Sequence, residues 1–290
     1  MIVTDKEYMI EEQLLKKLDL MIKRIKGTDD ALLVIDGDEG QGKTECAFGV
    51  CYYVAYELKR KYDPSRIFFD LDEMIKFASS TKDQIIHFDE AALGLLRTQW
   101  QSKEQQKFLQ LVMVARKKRH FIVVCIPKFH RLPPYAIEDR SVGLIHVYSH
   151  KNIHKGRYCY YTKEAKAKLY EDYNKRKIKS YKKHYSFRGK FVEASKKIFT
   201  QKQVDEYERK KDAAILSVGQ EKNKMTETAK KWQDQRNKLI IGIKKDLKAT
   251  AKQMEALLKK YGVEMKKTQI KEICPTRKIE VKSPIASALL

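Results

Sequence analysis

Apolar residues in this chain alternate between helical and strand-like spacing, and the changes of period mark its elements. Ile10, Leu14, Leu18, Met21, Ile22 and Ile25 recur at helical spacing with charges between them. Residues 5–26 therefore predict an amphipathic helix, ended by Gly27-Thr28-Asp29-Asp30. Ala31-Leu32-Leu33-Val34-Ile35-Asp36 is an unbroken apolar run closed by a carboxylate, as in a strand buried on both faces. A helix with an apolar inner face follows over 43–61, then a turn at Asp63-Pro64-Ser65 and a strand over 66–70. Met74, Ile75 and Phe77 mark a further helix, and Gln84 to Asp89 a second buried strand. Phe108, Leu109, Leu111, Val112 and Val114 predict a helix over 102–118. Strands at 121–126 and 142–148 complete the series. Strands and helices alternating at these lengths predict an α/β fold, a parallel sheet with helices on both faces. Strand 121–126 is free to insert between strands 31–36 and 84–89.

Beyond residue 150 the pattern changes. Tyr148 to Tyr161 reads as a basic hairpin with β-prone arms. Lys163 to Lys183 mixes Lys and Arg with Tyr170, Tyr173 and Tyr181, which suits either packing or stacking on nucleic-acid bases. Residues 200–260 are charged and helix-prone. From Lys252 to Cys274, two short helices around Gly262-Val263 fit a helix-turn-helix, a plain helical hairpin or a frayed tail. Residues 275–290 read as flexible. The expected organisation is an N-terminal helix at 1–28, a core at 29–162, a basic helical region at 163–245, and a small helical element with a tail at 246–290.

Two motifs carry chemistry. Gly37-Asp38-Glu39-Gly40-Gln41-Gly42-Lys43-Thr44 matches the phosphate-binding pattern G-x-x-x-x-G-K-[ST] at every fixed position, between a strand and a helix. Such a turn aims backbone N–H groups and a helix N-terminus at an anion. Lys43 is then expected on the β/γ-phosphates of a nucleoside triphosphate, and the Thr44 hydroxyl on Mg²⁺. The second motif is the carboxylate pair Asp89-Glu90 closing strand 84–89, at the ligand edge of an open sheet. Asp89 is expected to hold the Mg²⁺ shell through water, and Glu90 to polarise the attacking water. An acidic pair capping the next helix is the competing reading. His87, inside the strand, is expected to pack or hydrogen-bond there.

Charge divides the chain. Residues 1–150 hold 23 Lys/Arg against 22 Asp/Glu, whereas residues 151–290 hold 38 against 16. A nearly neutral half joined to a strongly basic one points to a polyanion partner, with nucleic acid first. The five cysteines form no C-x-x-C pair, and no stretch is long and apolar enough to span a bilayer. A cytoplasmic protein with reduced thiols is expected.

A full strand–helix unit lies between the phosphate-binding strand and the Asp89-Glu90 strand, and an extra glutamate follows the aspartate. This order resembles the ATPase branch of P-loop proteins, the RecA-like (ASCE) NTPases. Together with Val114-Ala115-Arg116-Lys117-Lys118-Arg119-His120, the motifs look like the FtsK–HerA superfamily, over residues 30–150. They are most similar to its small phage, viral and mobile-element members, among them packaging ATPases and relatives of the zonula occludens toxin family. The resemblance implies an ATP-hydrolysing motor that moves or packages duplex DNA as a ring such as a hexamer. A viral portal or another mobile-element protein would be a partner. It implies Arg116 as an arginine finger acting across the subunit interface, with Arg119 the second match. Residues 151–290 would grip DNA. A helicase or replication-loading ATPase on single strands, or a nucleotide-gated assembly protein, uses the same core. The chain departs from the family at Ile126-Pro127-Lys128, where a polar sensor is common, and in its acidic loop. Asp38 and Glu39 are therefore expected to point away from the nucleotide.

Overall fold

The structure, a computed structural model, describes residues 10–89, 107–109, 111, 117–150, 154–178, 180–221, 227–261 and 263–274. It divides into two compact units, Met1–Gly219 and Gln220–Leu290.

The first unit is a mixed α/β structure built on one seven-stranded sheet. In chain order its elements are α1 (Glu12–Lys26), β1 (Ala31–Asp36), α2 (Lys43–Leu58), β2 (Ile67–Phe68), α3 (Leu71–Ser80), β3 (Ile85–Phe88), β4 (Phe121–Ile126), β5 (Ser141–His150), β6 (His154–Tyr161), α4 (Lys163–Arg176), β7 (Phe187–Lys190), α5 (Ser195–Ile198) and α6 (Gln201–Glu221). The strand order is β2-β3-β4-β1-β5-β6-β7. β4 takes the place the sequence left open to it, between β1 and β3, pairing parallel with both. The sheet is not parallel throughout. β2 to β5 run parallel with β1, whereas β6 and β7 add in antiparallel fashion. A hairpin connects β5 to β6 without a crossover helix, so antiparallel pairing is the only short route.

Successive residues of each central strand point to opposite faces. Leu33, Ile35, Val123, Cys125, Ile145 and Val147 pack under α1 and α2. Leu32, Val34, Ile122, Val124 and Leu144 pack against α3, Phe108, Leu111 and Leu169 of α4. Helix α1 thus lies on the sheet of its own chain, through Leu14, Leu18, Met21 and Ile25. The expected boundary after residue 162 falls inside this unit, because β7 completes the sheet and Phe199 and Tyr207 enter its core. β7 escaped the sequence reading because Phe187-Arg188-Gly189-Lys190 has one large apolar residue, as suits a charged edge strand.

The second unit contains α7 (Glu227–Asp246), α8 (Ala251–Lys260) and α9 (Lys267–Ile273). Ile240, Ala251, Met254, Met265 and Ile270 form its core. Two short helices thus occupy the stretch that the sequence marked for them, and the expected division at 245/246 runs through this unit. The Thr250 hydroxyl and Gln253 amide close a reciprocal cap on α8.

One buried cation tests how α4 seats on the sheet. Lys166 Nζ donates to the Ser141 carbonyl at 2.6 Å and also to the Ser141 hydroxyl. Burial, helped by the nearby Lys163 charge, pulls the Lys166 pKa down to about 7. The unfolded chain keeps this proton to about pH 10.4. Between those values the unfolded state binds more protons than the folded one, so stability should climb as pH rises. We expect urea unfolding between pH 7 and pH 10 to show a gain on the order of 2–4 kcal/mol from this group. Lys166→Met should flatten that climb.

Candidate functional site

Residues 37–44 form the connection from β1 to α2 at the C-terminal edge of the sheet. Gly37, Gly40 and Gly42 all have positive φ, at 147°, 71° and 94°. A Cβ on Gly37 would stand 2.3 Å from the Val147 carbonyl oxygen, so the loop leaves β1 pressed against β5. Gly42 takes the left-handed conformation that starts α2. Lys43 Nζ donates to the carbonyls of Gly37 and Asp38, at 2.8 and 2.9 Å, across its own loop. Gln41 keeps a buried side-chain oxygen with no hydrogen-bond partner among the described residues. Asp38 and Glu39 are exposed, and Lys128 Nζ lies 3.6 Å from Asp38 Oδ1.

The second motif meets the loop. Asp89 is 1% exposed, one residue past β3. The Thr44 hydroxyl lies 3.1 Å from each of its carboxylate oxygens. Tyr207, on α6, donates its phenol hydrogen to Asp89 Oδ2 at 2.7 Å. Burial and the Asp89 charge push the Tyr207 phenol well up, so it remains a donor. His87 lies behind Asp89, 3.8 Å away, and burial lowers its pKa, keeping the imidazole neutral. It hydrogen-bonds the Tyr62 hydroxyl at 2.9 Å and approaches Cys125 Sγ at 3.4 Å. His87, Asp89 and Cys125 offer ligand atoms within 4.8 Å of one another. These contacts engage all three within the fold. A hydroxyl beside carboxylate oxygens is a hard-oxygen donor set, which fits Mg²⁺.

A second buried carboxylate flanks the loop. Asp36, fully buried, receives the Phe129 backbone N–H at 3.1 Å, the Tyr181 hydroxyl, and a hydrogen bond from His146 Nδ1 at 2.9 Å. The Tyr181 and His146 rings stack at 3.6 Å. Tyr170 packs in the core and Tyr173 stacks on His130 at 3.9 Å, so these tyrosines serve internal packing.

The structure thus brings together Gly37, Asp38, Glu39, Gly40, Gln41, Gly42, Lys43, Thr44 and Asp89. Glu90 and Arg116 lie outside the described residues. Arg119 lies at the opposite edge of the sheet, where it and Arg60 pair with Asp83 at 2.7 and 2.8 Å. Three contributors escaped the sequence reading. Glu45 Oε2 accepts the N–H groups of Ala194 and Ser195, at 2.6 and 2.9 Å. Phe191 has a ring carbon 3.3 Å from where a Gly42 Cβ would stand. Tyr207 is the third. All three contacts run between the loop motifs and residues about 100–150 positions away, a separation no local pattern encodes.

Asp36 gives this geometry a direct test. Tyr181→Phe keeps the ring and removes one of three donors to a buried carboxylate. The substitution should cost about 1–3 kcal/mol in urea unfolding.

No protein-family model matches the chain, and no curated protein matches it. Among solved structures it is similar to a replication initiator, DnaA, bound to AMPPCP and single-stranded DNA. The identity is 11% and the TM-score 0.33, over 94% of this chain and 81% of that one. The functional reading accordingly rests on the site's own geometry.

Proposed function

We propose that this protein is an ATPase of the RecA-like, P-loop type that works on DNA. The observation that carries the reading is the Thr44–Asp89 contact, which joins the end of the phosphate-binding motif to the end of the acidic strand. Strand order supports it, since β4 separates β1 from β3 and so spaces the two motifs across one sheet edge. Loop backbone N–H groups and Lys43 would bind the ATP phosphates, with Lys43 leaving the Gly37 and Asp38 carbonyls to do so. Thr44 and Asp89 would hold Mg²⁺, whose charge stabilises the transferring phosphoryl group. Glu90 would orient and deprotonate the attacking water. Arg116 would reach the γ-phosphate of an adjacent subunit in a ring such as a hexamer.

The partner follows from charge. Of 61 Lys and Arg residues in the chain, most lie beyond residue 150, the expected DNA-binding half. We place the protein in the cytoplasm, or in the host interior if it is viral, as a translocase or packaging motor of the FtsK–HerA kind on duplex DNA. A portal is a candidate partner. Among the described residues no helix is long and apolar enough to cross a membrane. A single-strand helicase or loading ATPase, or a slow nucleotide-gated assembly factor, would share this site and differ in DNA response.

Steady-state ATP hydrolysis alone, with duplex and with single-stranded DNA, separates these readings. Duplex-stimulated turnover is expected, reduced at least a hundredfold in Glu90→Gln while ATP still binds. Lys43→Ala should lose ATP binding itself. ATP binding without Glu90-dependent turnover on any DNA would leave the assembly factor.

A further inference from the structure

Tyr207 stands in an unexpected place for a residue of a charged C-terminal helix. It is 4% exposed, and its ring packs edge-on against Phe48 at 5.2 Å and beside Phe69 at 5.8 Å. Helix α6 is tied down nearby, where Lys210 Nζ donates to the carbonyls of Pro64 and Ile67 at 2.9 and 3.2 Å. The phenol is therefore held by a packed scaffold. A phenylalanine would fill the same space. The hydroxyl must find a partner to be tolerated in such a pocket, and that partner is Asp89 Oδ2.

The consequence lies in how Asp89 is oriented. A carboxylate with one donor can swivel about its terminal torsion, which is broad and roughly two-fold. Here Thr44 bridges both oxygens from one side, and Tyr207 fixes Oδ2 from another. Oδ1 lacks the Tyr207 bond; it shares the Thr44 hydroxyl and lies 3.8 Å from the neutral His87 Nε2, beyond hydrogen-bond distance. We propose that Tyr207 is a positioning residue for the divalent cation. By holding Oδ2 it keeps Oδ1 and the Thr44 oxygen directed at one metal position, and it links that position to helix α6. This inference rests on the reading of Thr44 and Asp89 as the Mg²⁺-holding pair. Outer partners of metal-ligating carboxylates act in this way, and their loss commonly weakens metal affinity about tenfold or more.

The test uses the full chain and a fluorescent ATP analogue, titrated with Mg²⁺ at fixed nucleotide and separately bound in EDTA. Tyr207→Phe keeps the ring and removes the hydroxyl. Half-saturating Mg²⁺ should rise about tenfold, with nucleotide affinity in EDTA unchanged. Phe69→Leu, which loosens the same pocket but leaves the phenol in place, should lower the thermal midpoint without moving the Mg²⁺ requirement. An unchanged Mg²⁺ requirement in Tyr207→Phe overturns the proposal and leaves Tyr207 a packing residue. Equal shifts in both variants overturn it as well, since the effect would then come from packing. A wild-type protein that binds no nucleotide in Mg²⁺ or EDTA overturns the phosphate-loop reading itself, an outcome distinct from the other two.

Discussion

Gly37 passes over β5 so closely that it could carry no side chain: a Cβ would meet the Val147 carbonyl oxygen at 2.3 Å. The loop's position depends on this contact. β5 continues past the end of β1, so the chain leaving Asp36 must cross it before turning into α2. At φ 147° the residue is in a region that only glycine occupies without strain. With the turn held there, Gly42 can start α2 beneath the loop, and Thr44 falls on the first turn, facing Asp89. Relief of this crowding by any larger residue would displace the start of the helix and separate the two motifs.

Two buried carboxylates bracket the loop, and the same solution serves both. Asp36 ends β1 and Asp89 follows β3, and neither has a lysine or arginine partner among the described residues. Each takes a phenol from the chain beyond residue 162: Tyr181 for Asp36 and Tyr207 for Asp89. A buried carboxylate is costly unless donors replace its water. Neutral hydroxyls satisfy its lone pairs without cancelling its charge, which leaves Asp89 attractive to a cation. The first unit's own residues beyond 162 are therefore part of the site's construction, joined to it by Phe191, the Ala194 and Ser195 bonds to Glu45, and two tyrosines.

How much of this the sequence makes legible depends on how local each signal is. β1 and β4 match their apolar runs end to end, because unbroken buried strands bounded by polar residues have little freedom of register. The phosphate loop is legible because its glycines, lysine and threonine act within eight consecutive positions. Placement of β4 between β1 and β3 is permitted by the connections but fixed only by the pairing in the structure. β7 is different: its pairing with β6 is set by backbone bonds at an edge, and its side chains carry no apolar alternation. Tyr181 and Tyr207 are also illegible. Tyrosine among lysines reads more readily as packing than as a stacking surface, and neither reading names the distant carboxylate that its hydroxyl bonds.

The loop's own hydrogen bonding bears on what the proposed nucleotide binding would have to overcome. Lys43 already donates to two carbonyls, so a phosphate gains this ammonium only in exchange for those bonds. The net return of one such exchange is small, about 1 kcal/mol for a neutral acceptor and more for a charged one. The difference favours phosphate because its oxygens carry full charge, whereas the carbonyls carry only dipoles. Asp38 and Glu39 would oppose that gain if they faced inward, yet both are exposed and Lys128 stands beside Asp38. Solvent screening reduces what remains of their repulsion to a minor term. The acidic loop is thus compatible with the proposed anion binding because both of its acidic side chains are exposed to solvent.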